Sequence, residues 1–274
     1  MFSEGKAHGQ LFLLFLNFNF PFFPNSVSFA ARFHIMLQKL IISYRTSPDL
    51  PAPHSYQAEL ELVPIDKGLQ VVFHRDYLER DMLEKQDIEA EGFTENDDFA
   101  WRGLLSEIWK MELLELVGRS QLLAKEPKQL HLMWEADEKL AGSPEPESEW
   151  LLLTEQLIQA CLEAGGKELP MELVLGKLEK NNFFEKGRLV WFFERKELIG
   201  QILEGVEKNF GQEDWTSSQQ QLRRWIEKEA QQNDLFQIPS HKGLFWLLNG
   251  EVWLPYGSQT QMGPLHWVED QLGM

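Results

Sequence analysis

Four groups of residues in this chain are of types that chemistry uses. His74-Arg75-Asp76 closes an apolar run and could set a histidine beside a carboxylate for acid–base work. His131 and Glu135 share one face of either a strand or a helix and could form a second such pair. Asp87–Asp98 (DIEAEGFTENDD) has the outline of a calcium loop, with Asp87, Glu89 and Glu91 as alternating acids followed by Gly92. Cys161 is the only cysteine, and a nucleophilic thiol would want exposure and a cationic neighbour.

Each has a plainer account. Histidines at strand ends are mostly ordinary polar residues. In the acidic loop, Glu89 and Glu91 are longer than the usual Asp or Asn, Thr94 replaces an apolar residue, and Asp98 is too short for a bidentate ligand. The expectation is therefore a solvated acidic face and no specific calcium site. Cys161 shares an apolar stripe with Leu157, Ile158 and Leu162, which reads as core.

Six of the ten tryptophans lie in the last 84 residues. Most are expected in the core. Trp246, Trp253 and Tyr256 are the candidates for a binding surface, because aromatic rings anchor partners. The phosphate-loop, nucleophile-elbow, dinucleotide, zinc-helix and C-x-x-C signatures are absent from the sequence, and no cofactor is expected.

Length and charge narrow the classes. The chain has 274 residues, a formal net charge of −17, 43% hydrophobic and 25% charged residues. That is a globular composition with enough chain for a core without disulfides. The acidic balance excludes nucleic acid as the main partner, since phosphate contacts need clustered Lys and Arg. The sequence holds no clean membrane span: Asn17, Asn19, Pro21, Pro24 and Asn25 interrupt the one long apolar run.

Residues 1–35 differ from the rest. They hold nine of the 19 phenylalanines, with no charged residue from Leu11 to Ala31. They read as an extension outside the core. Either translation starts at Met36, or residues 1–31 are a secretory signal. The first places the protein in the cytoplasm, the second outside the cell.

The elements that must position these residues follow from periodicity. Leu37–Tyr44 reads as a strand. Tyr56–Val63 alternates, with Leu60 and Leu62 inward and Glu59 and Glu61 outward. It pairs with Leu69–His74 through a turn at Gly68. Tyr77–Glu91 reads as helical, and Thr94 with Asp97 as the cap of a second helix carrying Trp101 to Leu116. Leu130–Trp134 is a strand and Ala141–Ser148 (AGSPEPES) a linker. Beyond it come a helix over Trp150–Leu162 and a hairpin of Met171–Leu178 with Arg188–Phe193. A helical stripe from Leu198 to Phe210 and a helix capped by Thr216 and Gln219 follow. The chain closes with a hairpin turned by Asn249-Gly250.

The fold class is α+β, antiparallel hairpins packed with helices, in units 36–140 and 149–274. The strand-then-helix run of each half suggests that they are related. The leading functional reading is a soluble, acidic, non-catalytic binding protein whose partner is a protein or small molecule. The rivals are a hydrolase built on His74, Asp76 and residues 87–98, and a secreted carbohydrate-binding protein.

Overall fold

The computed structural model describes residues 37–179, 182–203, 205–231, 235–239, 242–256 and 263–273. The readings made for residues 1–35 lie outside these. The architecture is α+β. The chain divides into two units, one ending at Glu168 and the other starting at Leu169.

The first unit runs β1 (Lys39–Arg45), β2 (Tyr56–Ile65), β3 (Gly68–Tyr77), a 3₁₀ turn at Arg80–Met82, α1 (Lys85–Ala90), β4 (Phe99–Leu105) and α2 (Glu107–Gly118). It continues with β5 (Gln121–Leu123), β6 (Leu130–Glu135), β7 (Lys139–Glu145) and α3 (Glu147–Ala164). Its antiparallel sheet has the order β4-β3-β2-β1-β6-β7-β5. Alternation decides its faces: Leu40, Ile42, Leu60, Leu62, Val71 and Phe73 are fully buried, while Ser43, Glu59 and His74 stand on the solvent face. The hairpin pairs Leu60 with Phe73 and Glu59 with His74, as the alternation requires. Gly68 turns it with a φ of 149°, and a Cβ there would collide with the Leu105 carbonyl oxygen.

The second unit runs β8 (Met171–Glu179), β9 (Asn182–Phe192), β10 (Glu197–Ile202), β11 (Glu207–Phe210), α4 (Gln212–Ala230), β12 (Gly243–Leu248), β13 (Val252–Pro255) and α5 (Gly263–Gln271). Its sheet order is β11-β10-β9-β8-β12-β13. This is the order of the first unit, strand for strand, with a helix after the fourth strand and another after the last. Even β5 has a counterpart: the Trp253 N–H donates to the Leu235 carbonyl (2.8 Å), so a segment between α4 and β12 touches the last strand. The two units thus share one connection order.

Several expected elements differ. Residues 141–148 are no linker: β7 pairs Ala141 and Gly142 with β6 and Ser143–Glu145 with β5, and α3 starts at Glu147. The Trp101–Leu116 helix is a strand followed by a helix. Phe99, Trp101, Gly103 and Leu105 alternate against β3, and this pairing outweighs the helical spacing of Trp101, Leu104 and Leu105. The same competition turns the 198–210 stripe into β10 and β11, joined through Gly205 at φ 89°. The 77–91 helix shrinks to the 3₁₀ turn and α1, and α4 starts at Gln212, which puts Thr216 inside it. The closing hairpin has Asn249 and Gly250 at φ 48° and 78°, the paired positive φ of a tight hairpin turn.

Candidate binding edge and the polar cluster behind it

His74 and Asp76 lie on the solvent face of β3. A register row there reads Ala100, His74, Glu59, Ser43, His131 across β4, β3, β2, β1 and β6. The two histidines are three strand spacings apart, roughly 14 Å at ~4.8 Å per strand, and do not meet. His131 and Glu135 lie about 13 Å apart along an extended strand, and Glu135 pairs with Lys139 at 2.9 Å. Asp76 accepts from the Gln57 amide (3.4 Å).

The acids of residues 87–98 face other partners. Glu89 faces Lys85 (3.7 Å) and Glu91 faces His54 (3.6 Å), while Asp87 sits in the first turn of α1. Gly92 has a φ of 82°, the left-handed position that follows a helix. Among the described residues no three His, Cys, Asp or Glu side chains gather as a metal site.

Trp246 is 1% exposed and belongs to the core, which removes it from the binding candidates. Trp253 and Tyr256 keep part of their surface. Trp253 stacks edge-on against Phe183 and Phe245 at 5.3 and 6.1 Å. Cys161 is buried in α3, and burial pushes its thiol well above the ordinary value. Native protein is therefore expected to resist iodoacetamide and to take up one label per chain once unfolded. Labelling of the native state at a rate like that of free cysteine would contradict this burial.

A group of buried ionisable residues lies outside the sequence candidates. At one end of the inner face of the first sheet stand Tyr44 of β1, Tyr56 of β2, and Arg75 and Tyr77 of β3. Arg75 is 2% exposed. Its guanidinium lies 5.7 Å from the Tyr56 ring centre and 5.0 Å from that of Tyr77, and one nitrogen is 3.7 Å from the Glu168 carboxylate. Glu168 in turn accepts from Gln159 of α3 at 2.9 Å. Burial, then the neighbouring Tyr56 and Glu155, raises the Tyr44 hydroxyl. Burial likewise raises Tyr56 and Tyr77, against the opposing pull of Arg75. These phenols stay protonated and act as hydrogen-bond donors, not bases. The signal was in the sequence: Arg75 and Tyr77 continue the inward parity of Leu69, Val71 and Phe73.

The cluster holds the start of β4. Arg80 donates to the Pro53 carbonyl (3.1 Å), the Thr94 carbonyl (2.8 Å) and the Asp97 carboxylate (3.0 Å). Its guanidinium lies 3.5 Å from the Tyr77 ring centre and 4.5 Å from that of Phe93. Asp97 also accepts from the Thr94 N–H (2.7 Å) and hydroxyl (2.8 Å) and faces Lys167 (3.5 Å). Asp98 accepts from the Tyr77 N–H (2.8 Å). Thr94 and Asp97 do bond as a cap would, but they close a loop that feeds a strand. Gly165 completes the seat, for a Cβ there would strike the Phe99 ring at 2.5 Å.

Burial alone would raise the Asp97 carboxyl, yet the bonds from Thr94 and Arg80 and the charge of Lys167 hold it below its ordinary 3.8. A carboxyl depressed in the folded state contributes stability that is present above the unfolded value and lost as pH falls through the folded one. Asp97→Asn is expected to lower stability at neutral pH and to flatten the fall below about pH 4, read from urea midpoints across pH. An acid limb as steep as that of the parent would refute the assignment.

β4 itself is an edge strand. It pairs with β3 along all seven residues without a register break, and among the described residues no strand lies on its other side. Its sequence, FAWRGLL, has no proline and no lysine, and one charge, Arg102. The Trp101 ring lies over Gly103, too close for any Cβ at that position. The other edges are guarded: β5 has three residues, β11 is short and carries Glu207 and Lys208, and β13 ends in Pro255 and bonds to Leu235. No helix among the described residues is long and apolar enough to cross a membrane.

No protein-family description, no curated protein and no solved structure matches this chain.

Proposed function

We propose that this protein is a non-catalytic binding protein whose partner is another polypeptide, received along the free edge of β4. The carrying observation is that edge: seven residues, unbroken in register and without the lysine, proline or bulge by which sheets discourage pairing. An open strand edge offers main-chain donors and acceptors to an extended segment, while side chains on both faces select the sequence. Here Phe99 and Trp101 border the inner face, and Ala100, Arg102 and Leu104 the outer one. Leu104 is 47% exposed, an apolar surface with a use in such a contact. The Arg75, Arg80 and Asp97 network behind the strand supports this reading, because a pre-ordered edge loses less entropy on binding.

The test titrates the purified protein with a neutral, alternately apolar extended peptide of about ten residues, a length that covers a typical strand. Amide resonances of 99–105 are expected to shift. The shifts are expected to vanish in an Ala100→Lys/Leu104→Lys variant, which guards the edge. Absent shifts, or shifts scattered over the other elements, would sink the proposal.

A further inference from the structure

Resting on that reading of β4, we infer that its occupant is an antiparallel segment of a different protein, apolar at alternate positions and basic at its C-terminal end. The edge is electrostatically lopsided. The stretch feeding its N-terminal end, Glu79–Asp98, carries nine acids against two bases. Most of these acids are exposed. The Lys85–Glu95 pair (3.0 Å) and the Arg80–Asp97 bond fold this acidic stretch against the start of the strand. The strand itself is apolar but for Arg102. A segment lying antiparallel on β4 brings its C-terminal end beside Glu95–Asp98, where Lys or Arg gains from the negative field. Beyond Leu104 and Leu105 the charges balance: Glu107 pairs with Lys110 (3.0 Å) and Asp66 is followed by Lys67.

A second copy of this chain fits worse. The symmetric antiparallel register that pairs all seven residues places Arg102 opposite Arg102, and like charges directly opposite destabilise a sheet. Two copies would also bring together net charges of −17 each. Residues along the inner side of the incoming strand meet the half-buried rings of Phe99 and Trp101, which calls for apolar side chains at alternate positions.

Three synthetic peptides of equal length and alternating Thr/Val test this on the full chain. One is neutral, one ends in two lysines, and one begins with them. Affinity is read by fluorescence anisotropy, location by amide hydrogen exchange at 99–105. The peptide ending in lysines is expected to bind about tenfold more tightly than the one beginning with them. That preference is expected to collapse at ~1 M salt, where the screening length is ~3 Å. Equal binding of all three, with protection at 99–105, would overturn the basic-end inference and leave the edge reading standing. Preference for the peptide beginning with lysines would overturn the antiparallel orientation. Protection of 99–105 by self-association alone would make a second copy the occupant and overturn the inference. Failure of all three to protect 99–105 would overturn the edge reading itself.

Discussion

Trp246→Ala is expected to cost the second unit about 3–5 kcal/mol, the usual loss for a large aromatic removed from a packed core. Trp246 is 1% exposed, and its register partners Leu175 and Leu254 are both fully buried. Its neighbours along β12 differ in degree: Phe245 and Leu248 are buried, Leu244 and Leu247 half-buried. Both faces of the strand are therefore covered to a large extent, and the inner face carries the packing. Trp253 sits on the other face with part of its ring in solvent, so Trp253→Ala is expected to cost markedly less. Urea unfolding followed by far-UV circular dichroism measures both, with sedimentation to check association. Two units can unfold in separate steps, so the loss is read on the transition that Trp246→Ala moves. A Trp246→Ala protein as stable as the parent would contradict the core placement.

Glu168→Leu is expected to destabilise the first unit by about 3–5 kcal/mol, because it strips a carboxylate from a guanidinium that water cannot reach. Arg75→Met is expected to cost less, because the Glu168 carboxylate it leaves behind is 16% exposed and still accepts from Gln159 (2.9 Å). The pair Arg75→Met/Glu168→Leu is expected to recover most of what Glu168→Leu alone loses, an interaction that a double-mutant cycle reads directly. The reason is geometric: Arg75 is 2% exposed, its Glu168 contact is 3.7 Å, and its Nε and Nη1 make no hydrogen bond within the protein. Equal losses for Arg75→Met and Glu168→Leu would show instead that the guanidinium itself holds Tyr56 and Tyr77 in place.

Most of the strands were legible where one face is wet and one is dry. Tyr56–Val63 with Leu69–His74, Leu130–Trp134 and the hairpin at Asn249-Gly250 all follow from alternation or from turn chemistry, which are local properties. The helix over Trp150–Leu162 follows from its apolar spacing. Phe99–Leu105 and Leu198–Phe210 read as helical in sequence because short apolar runs satisfy both periods, and only pairing with β3 or β9 decides between them. Such pairing joins residues far apart in sequence, so no local window contains it.

The site divides along the same line. Sequence determined that His74 and Asp76 face one way and Arg75 the other, since parity is set by the chain itself. It also determined the acidic run before β4. Tertiary structure alone decided that Arg75 sits under Glu168, that Arg80 reaches Pro53, Thr94 and Asp97, and that His131 stays three strands from His74. It alone decided that β4 is the last strand of the sheet among the described residues. Edge or centre is a property of strand order, and strand order rests on pairing between segments far apart in the chain, not on the seven residues of the strand.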